Sequence, residues 1–163
     1  MGVYEFTVEH NLLATPERLF AIWLNGQDRR GPWVGDGMRI IEPRVGGLFY
    51  WPDRNFSDMG GGGGEWAHYG RFLQIEEPHL IEYTWMSQWT DGLESVIRVE
   101  LREFEDDKQF TKVTLRQSGL PDNRHGYEHK NAWIRILGEM GARLWGNNGE
   151  HDATTEKAGP ATT

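Results

Sequence analysis

Between residues 122 and 145 the chain carries a stripe that only a long helix can place on one side. Trp133, Ile136, Leu137, Met140 and Leu144 recur at helical spacing, and His129 falls on the same stripe one turn earlier. Glu128, Asn131, Arg135, Glu139 and Ala142 lie on the opposite side. A helix patterned in this way buries one face and leaves the other in water. Gly119-Leu120-Pro121-Asp122 reads as its start: Pro121 ends a preceding strand, and Asp122 offers an acceptor to the first-turn N–H groups. Gly146-Asn147-Asn148-Gly149 reads as its stop, because Gly and Asn tolerate the left-handed cap. Such a helix of roughly 24 residues is about 36 Å long. It needs a broad apolar surface to lie on, and a curved sheet would provide one.

Most of what precedes it reads as strand. Tyr4, Phe6 and Val8 alternate with Glu5, Thr7 and Glu9. Thr15-Pro16-Glu17 opens a helix whose apolar face is Leu19, Phe20, Trp23 and Leu24, and a second short helical turn is expected over residues 27–30. Strands follow at 38–42, 48–51, 66–75, 80–86, 94–104 and 110–118, joined by turn-forming segments. Ile97, Val99 and Leu101 against Arg98, Glu100 and Arg102 is the clearest alternation, with one face on a core and one in water. Short turns between consecutive strands favour an antiparallel meander. The predicted architecture is α+β. A curved antiparallel sheet of about seven strands wraps around the long C-terminal helix, with two short helices after the first strand. Residues 1–146 form a single domain, and residues 147–163 are expected to be a disordered tail.

Composition narrows the function. Eight Trp, seven Phe and five Tyr supply enough ring area to build a large core or to line a cavity. A net charge of -8 disfavours nucleic acid and anionic membrane surfaces. The absence of cysteine removes disulfides, thiolate metal sites and a Cys nucleophile. No apolar run approaches a membrane span and the N-terminus lacks a secretory pattern, so the expected location is cytoplasmic.

At this level the chain resembles a known group. Ala14-Thr15-Pro16-Glu17-Arg18-Leu19-Phe20, Trp23, Pro32-Trp33 and Arg44-Val45-Gly46-Gly47-Leu48-Phe49 stand in its order and spacing. So do Gly70-Arg71-Phe72-Leu73, Glu77-Pro78, Tyr83-Thr84-Trp85, Gly119-Leu120-Pro121-Asp122, His129 and Trp133. Over residues 4–145 these resemble the Bet v 1-like, START-like (SRPBCC) helix-grip superfamily, in the branch related to the C-terminal domain of the activator of Hsp90 ATPase. The resemblance implies a helix-grip fold with a cavity between sheet and helix. It also implies hydrophobic ligand binding, or a chaperone-related stress-response role. Eukaryotic Hsp90 activators carry an additional N-terminal domain for which this chain has no room, which weighs against a full co-chaperone role.

Several constellations bear on chemistry. Trp33, Phe49, Trp51, Phe72, Tyr83, Trp85 and Trp133 belong to elements that should face one another, as a solid aromatic core or as the lining of a ligand cavity. His68, Arg71 and His129 are the polar candidates beside those rings. An inward Arg71 would need an anionic ligand group or an internal Glu such as Glu82 or Glu94, whereas an outward one would make a surface pair. His129 belongs to the buried stripe and reads first as a satisfied core histidine. His125-Gly126-Tyr127-Glu128-His129 matches H-x-x-E-H, an inverted zinc-peptidase pattern. It lacks a third ligand, however, and the motif's glycine weakens the first turn. Gly60 to Gly64 is followed by a strand and not by Lys-Ser and a helix, so it reads as a hairpin tip, or a lid, rather than a phosphate loop.

The expected function is binding of a small, largely apolar molecule between sheet and long helix. The ligand-binding set is Trp33, Phe49, Trp51, His68, Arg71, Phe72, Tyr83, Trp85, His129 and Trp133. No cofactor, metal or catalytic residue is expected, and the assembly would be a monomer or homodimer. The alternatives are a co-chaperone-like partner of an Hsp90-type chaperone, and a polyketide cyclase- or hydrolase-like enzyme with His129 as acid or base.

Overall fold

A computed structural model of the chain describes residues 2–35, 37–53 and 66–155. Strand β1 (Val3–Leu12) leads into helix α1 (Pro16–Trp23). Strands β2 (Ile40–Ile41), β3 (Leu48–Asp53), β4 (Trp66–Glu76), β5 (Leu80–Trp85), β6 (Ser95–Phe104) and β7 (Asp107–Pro121) follow, and helix α2 (Arg124–Thr155) comes last. The strands form one curved antiparallel sheet in the order β1-β7-β6-β5-β4-β3-β2, with α2 against it. This is the helix-grip arrangement that the sequence predicts. The glycine run from Gly60 to Gly64 lies outside the described residues. No helix among the described residues is long and apolar enough to cross a membrane.

Local chemistry explains most of the boundaries. Thr15 caps α1 by accepting from the Arg18 N–H, and Pro16 occupies the first turn, where a missing N–H costs nothing. β6 buries Ile97, Val99 and Leu101 on its inner face, as its alternation requires. Trp51 pairs with His68 and Phe49 with Gly70 across β3 and β4. A side chain at Gly70 would strike the Thr84 carbonyl oxygen and the Phe49 ring, so the close approach of these strands requires glycine.

Four expectations need correction. The second short helix is absent: residues 25–31 form successive turns instead. Asn25 Oδ1 accepts from the Gln27 N–H and Asp28 Oδ1 from the Arg30 N–H, so both side chains draw the backbone into turn geometry. β7 does not stop at Ser118 but continues to Pro121, which pairs with Val3 at the strand end, where a proline is tolerated. The cap of α2 is Asn123, whose Oδ1 accepts from the Gly126 N–H, while Asp122 accepts instead from the Tyr127 hydroxyl. A side chain on Gly126 would collide with the Pro121 carbonyl, so this glycine lets the first turn of α2 sit against the end of β7. Finally, α2 passes through the Gly146-to-Gly149 stop and reaches Thr155.

Candidate functional site

The inner face of β3, β4 and β5 brings Trp51, His68 and Trp85 side by side. The His68 imidazole packs against both indoles, 5.0 Å from Trp51 and 4.5 Å from Trp85 and tilted by 28° and 26°, while the indoles themselves are 6.1 Å apart, so the three rings form a triangle. The N-terminal half of α2 closes over them with His125, Glu128, His129, Ala132, Trp133 and Ile136. Trp89, in a 3-10 turn at Gln88–Thr90, completes the wall. The free space inside is about 20 Å³, room for a water molecule and not yet for a ligand. The rings themselves fill the site in this state.

Its electrostatics follow from burial. Removal from water pushes the His68 imidazole down to about 3, and the nearby His129 adds to the effect. Burial also lowers His129, against the opposing influence of the His125 carbonyl. His129 Nδ1 is 2.8 Å from that carbonyl, which can only accept, so Nδ1 carries the proton and the neutral ring offers Nε2 as an acceptor. At the rim, Asp91 accepts from Asn123 Nδ2 at 2.7 Å and contacts His125 Nδ1 at 2.8 Å. These bonds hold the Asp91 carboxyl below the usual carboxylate range. The edge of Trp89 meets the His125 ring at 4.6 Å.

A fully buried relay runs behind the pocket. Trp133 Nε1 donates to Gln117 Oε1 at 3.1 Å, Gln117 Nε2 donates to Ser95 Oγ at 3.0 Å, and Ser95 Oγ donates to the Trp85 carbonyl at 2.8 Å. An indole can only donate and a carbonyl can only accept, so the direction of the whole chain is fixed. It ties α2 to the central strands at the two tryptophans that wall the site.

The ten sequence candidates divide into three groups. Trp51, His68, Trp85, His129 and Trp133 line the pocket. Trp33, Phe49, Phe72 and Tyr83 are fully buried and form a packed ring cluster next to it, with Trp33 5.5 Å from Phe49 and 5.9 Å from Tyr83. Burial raises the Tyr83 phenol, whose oxygen accepts from Trp23 Nε1. Arg71 is exposed on the outer face of β4, where it reaches the Gly46 carbonyl at 3.4 Å; it takes no part in the pocket. Sequence reasoning omitted His125, Glu128, Ala132 and Ile136 from the lining. The signal was present for His125, Ala132 and Ile136, which follow the helical stripe of His129 and Trp133, whereas Glu128, read from the sequence as lying on the solvent side, is half-buried and edges the pocket. Trp89 and the Gln117–Ser95 relay carry no comparable periodic signal. His125 and His129 both reach the site, but the His125 Nδ1 is engaged by Asp91 and the His129 Nδ1 by a carbonyl. Among the described residues no three His, Cys, Asp or Glu side chains are grouped to hold a metal ion.

Residues 13–144 match the family model described as Activator of Hsp90 ATPase homolog 1-like protein. The chain belongs to this family. Among solved structures, an AHSA1 protein from Silicibacter pomeroyi is similar at 20% identity and a TM-score of 0.68, over 86% of this chain and 97% of that one. A protein from Chromobacterium violaceum is similar at 20% identity and a TM-score of 0.70, over 86% and 96%. An HSP90 activator from Plasmodium falciparum is similar at 20% identity and a TM-score of 0.61, over 86% and 95%. At these identities the likeness is one of fold. A comparison with curated proteins finds no match.

Proposed function

We propose that this AHSA1-like domain binds a small, largely apolar molecule between the sheet and the N-terminal half of α2. The observation that carries the reading is His68 buried in a triangle of rings with Trp51 and Trp85, beneath His129 and Trp133. Burying two imidazoles is costly, and a domain needing only a core would place aliphatic side chains there. A ligand would replace ring-to-ring contacts with ring-to-ligand contacts, and the Trp89 turn would move away from α2 to admit it. A hydrogen-bond donor on the ligand would meet His129 Nε2. Burying about 200 Å² of apolar ligand surface contributes on the order of 5 kcal/mol before the costs of association. The reading assigns these groups to binding and assigns no reaction to the site. A cytoplasmic setting and a monomeric or homodimeric state complete the reading.

Native mass spectrometry of freshly purified protein, followed by denaturation and analysis of released small molecules, tests this. A stoichiometric apolar molecule, lost in Trp85→Ala, is the expected result. An empty protein that also fails to take up 1-anilinonaphthalene-8-sulfonate would overturn it. Family membership favours a second reading, an Hsp90-related role. That reading predicts stimulated ATP turnover when the domain is added to an Hsp90-type chaperone.

A further inference from the structure

The outer face of the sheet has two halves of different chemistry. Across β5, β6, β7 and β1 it is a ladder of ion pairs. Arg98 meets Glu82 at 3.1 Å and Glu100 at 3.0 Å, Arg116 meets Glu5 at 2.8 Å, and Lys112 meets Glu9 at 3.5 Å. Across β2, β3 and the first part of β4 the same face is largely apolar, giving way to Gln74 and Glu76 at the far end of β4. Ile40 pairs with Tyr50, Tyr50 with Tyr69, and Tyr69 bridges to Met86, so these four side chains form one row across the sheet. Leu48 lies opposite Arg71, and Leu73 follows Arg71 at the next outward position of β4. Ile40, Leu48, Tyr69 and Leu73 are each between 44% and 47% exposed, which makes a contiguous patch and not scattered single residues.

Arg71 sits inside that patch, and its surroundings set it apart. Arg98, Arg102 and Arg116 on the other half each meet a carboxylate. Arg71 reaches only the Gly46 carbonyl, and no carboxylate pairs with it among the described residues. A cation set among exposed apolar side chains is complementary to an anion carried on an apolar partner. We infer that this half of the outer face is a docking surface for an acidic polypeptide segment, which lays apolar side chains along the Ile40–Tyr50–Tyr69 row and sets a carboxylate on Arg71.

Other occupants fit less well. A two-fold contact between copies would bring the same patch to both sides. Glu42, beside the patch, is already engaged by Arg44 at 3.6 Å and by the Leu48 N–H at 2.8 Å. An anionic bilayer would be repelled by a net charge of -8. A short acidic segment escapes most of that repulsion, because it spans only the patch and sets its carboxylate on Arg71, while charge farther away than about 10 Å is screened. The patch is on the opposite face of the sheet from the pocket, so the inference does not depend on what the pocket binds.

The test is selection of random 12-residue displayed peptides on the full chain, with removal of those that also bind Arg71→Glu. The expected peptides carry Asp or Glu among apolar residues. They shift the backbone amide resonances of Leu48, Tyr69, Arg71 and Leu73, lose affinity about tenfold on Arg71→Glu, and weaken with added salt. Leu73→Ser should weaken them as well, while both variants, being surface changes, keep the wild-type melting temperature. Selected peptides without acidic residues, or amide shifts confined to other surfaces, would overturn the inference. So would dimerisation through this face in sedimentation, or binding to phosphatidylserine vesicles that Arg71→Glu abolishes.

Discussion

The two ends of the space between sheet and α2 are built from different materials. Towards the C-terminal half of α2, Leu12, Leu101, Val113, Leu115, Met140 and Leu144 are fully buried, and Gly141 lets the helix approach Leu12 and His10. The Thr111 hydroxyl in this region donates to the Ala14 carbonyl at 2.6 Å. Towards the N-terminal half the side chains are rings, imidazoles, an amide and a hydroxyl. The aliphatic end is what stability alone selects: dense, apolar and with the buried Thr111 hydroxyl satisfied. The ring end spends stability on buried histidines and a three-bond relay, and it is the end with the pocket. Burying groups that are expensive to bury is the mark of a site rather than of a core.

Acid separates the two ends most strongly. In the unfolded chain His68 takes up a proton near its ordinary 6.5, and in the fold only near 3. Between those values the unfolded chain holds a proton that the folded chain does not. Stability is therefore fully present above pH 6.5 and falls as the pH drops towards 3, by on the order of 5 kcal/mol if the whole window is expressed. His129, also lowered, acts with the same sign. Urea denaturation followed by tryptophan fluorescence at a series of pH values should show this slope, and His68→Gln should flatten it. An unchanged slope in that variant would place the acid sensitivity elsewhere.

Leu115→Ala probes the other end. Leu115 faces Val8 and Val99 across the sheet with no exposed surface, so truncation should cost about 3 kcal/mol in urea denaturation. Uptake of 1-anilinonaphthalene-8-sulfonate at the ring end should stay as in the wild type. A parallel loss of dye binding would mean that the two ends are one cooperative unit.

How much of this the sequence reveals depends on where periodicity is informative. The alternation of Ile97, Val99 and Leu101, the Thr15-Pro16 start and the α2 stripe each express one local rule, and the fold follows those rules there. The failures are places where a second rule competes. Asn25 and Asp28 draw the backbone into turns, so no second helix forms. On β4 both faces carry large apolar groups, and a bulge between Phe72 and Gln74 shifts the register, so Tyr69 and Leu73 face outward while Ile75 packs on the core. That is why parity could not orient Arg71. The pocket needs contacts distant in sequence, Trp51 with His68 and Trp133 with Gln117, which no local pattern encodes.

Gln117→Leu sharpens the comparison at the relay. It leaves the Trp133 N–H buried without its acceptor and removes the donor to Ser95, at a cost of about 2 kcal/mol. The near-ultraviolet circular dichroism of the coupled tryptophans should change as well, because Trp133 and Trp85, 5.6 Å apart, lose their common anchor. Leu115→Ala should lower stability without that spectral change. If both variants altered the spectrum alike, the relay would have no special hold on the rings.

The smallest effect on stability is expected at the rim. Asp91 adopts a positive φ of 52°, which glycine accepts without strain, so Asp91→Gly removes both side-chain bonds to α2 and leaves the turn geometry intact. Those bonds are exposed to solvent, and their loss should cost less than about 1 kcal/mol. The consequence should be kinetic. Trp89 and His125 form one wall of the pocket, and Asp91 ties the Trp89 turn to the first turn of α2. Untying it should speed both acrylamide quenching of the ring end and association of 1-anilinonaphthalene-8-sulfonate, with the melting temperature nearly unchanged. Unaltered rates in this variant would mean that the pocket opens by some movement other than separation of this turn from α2.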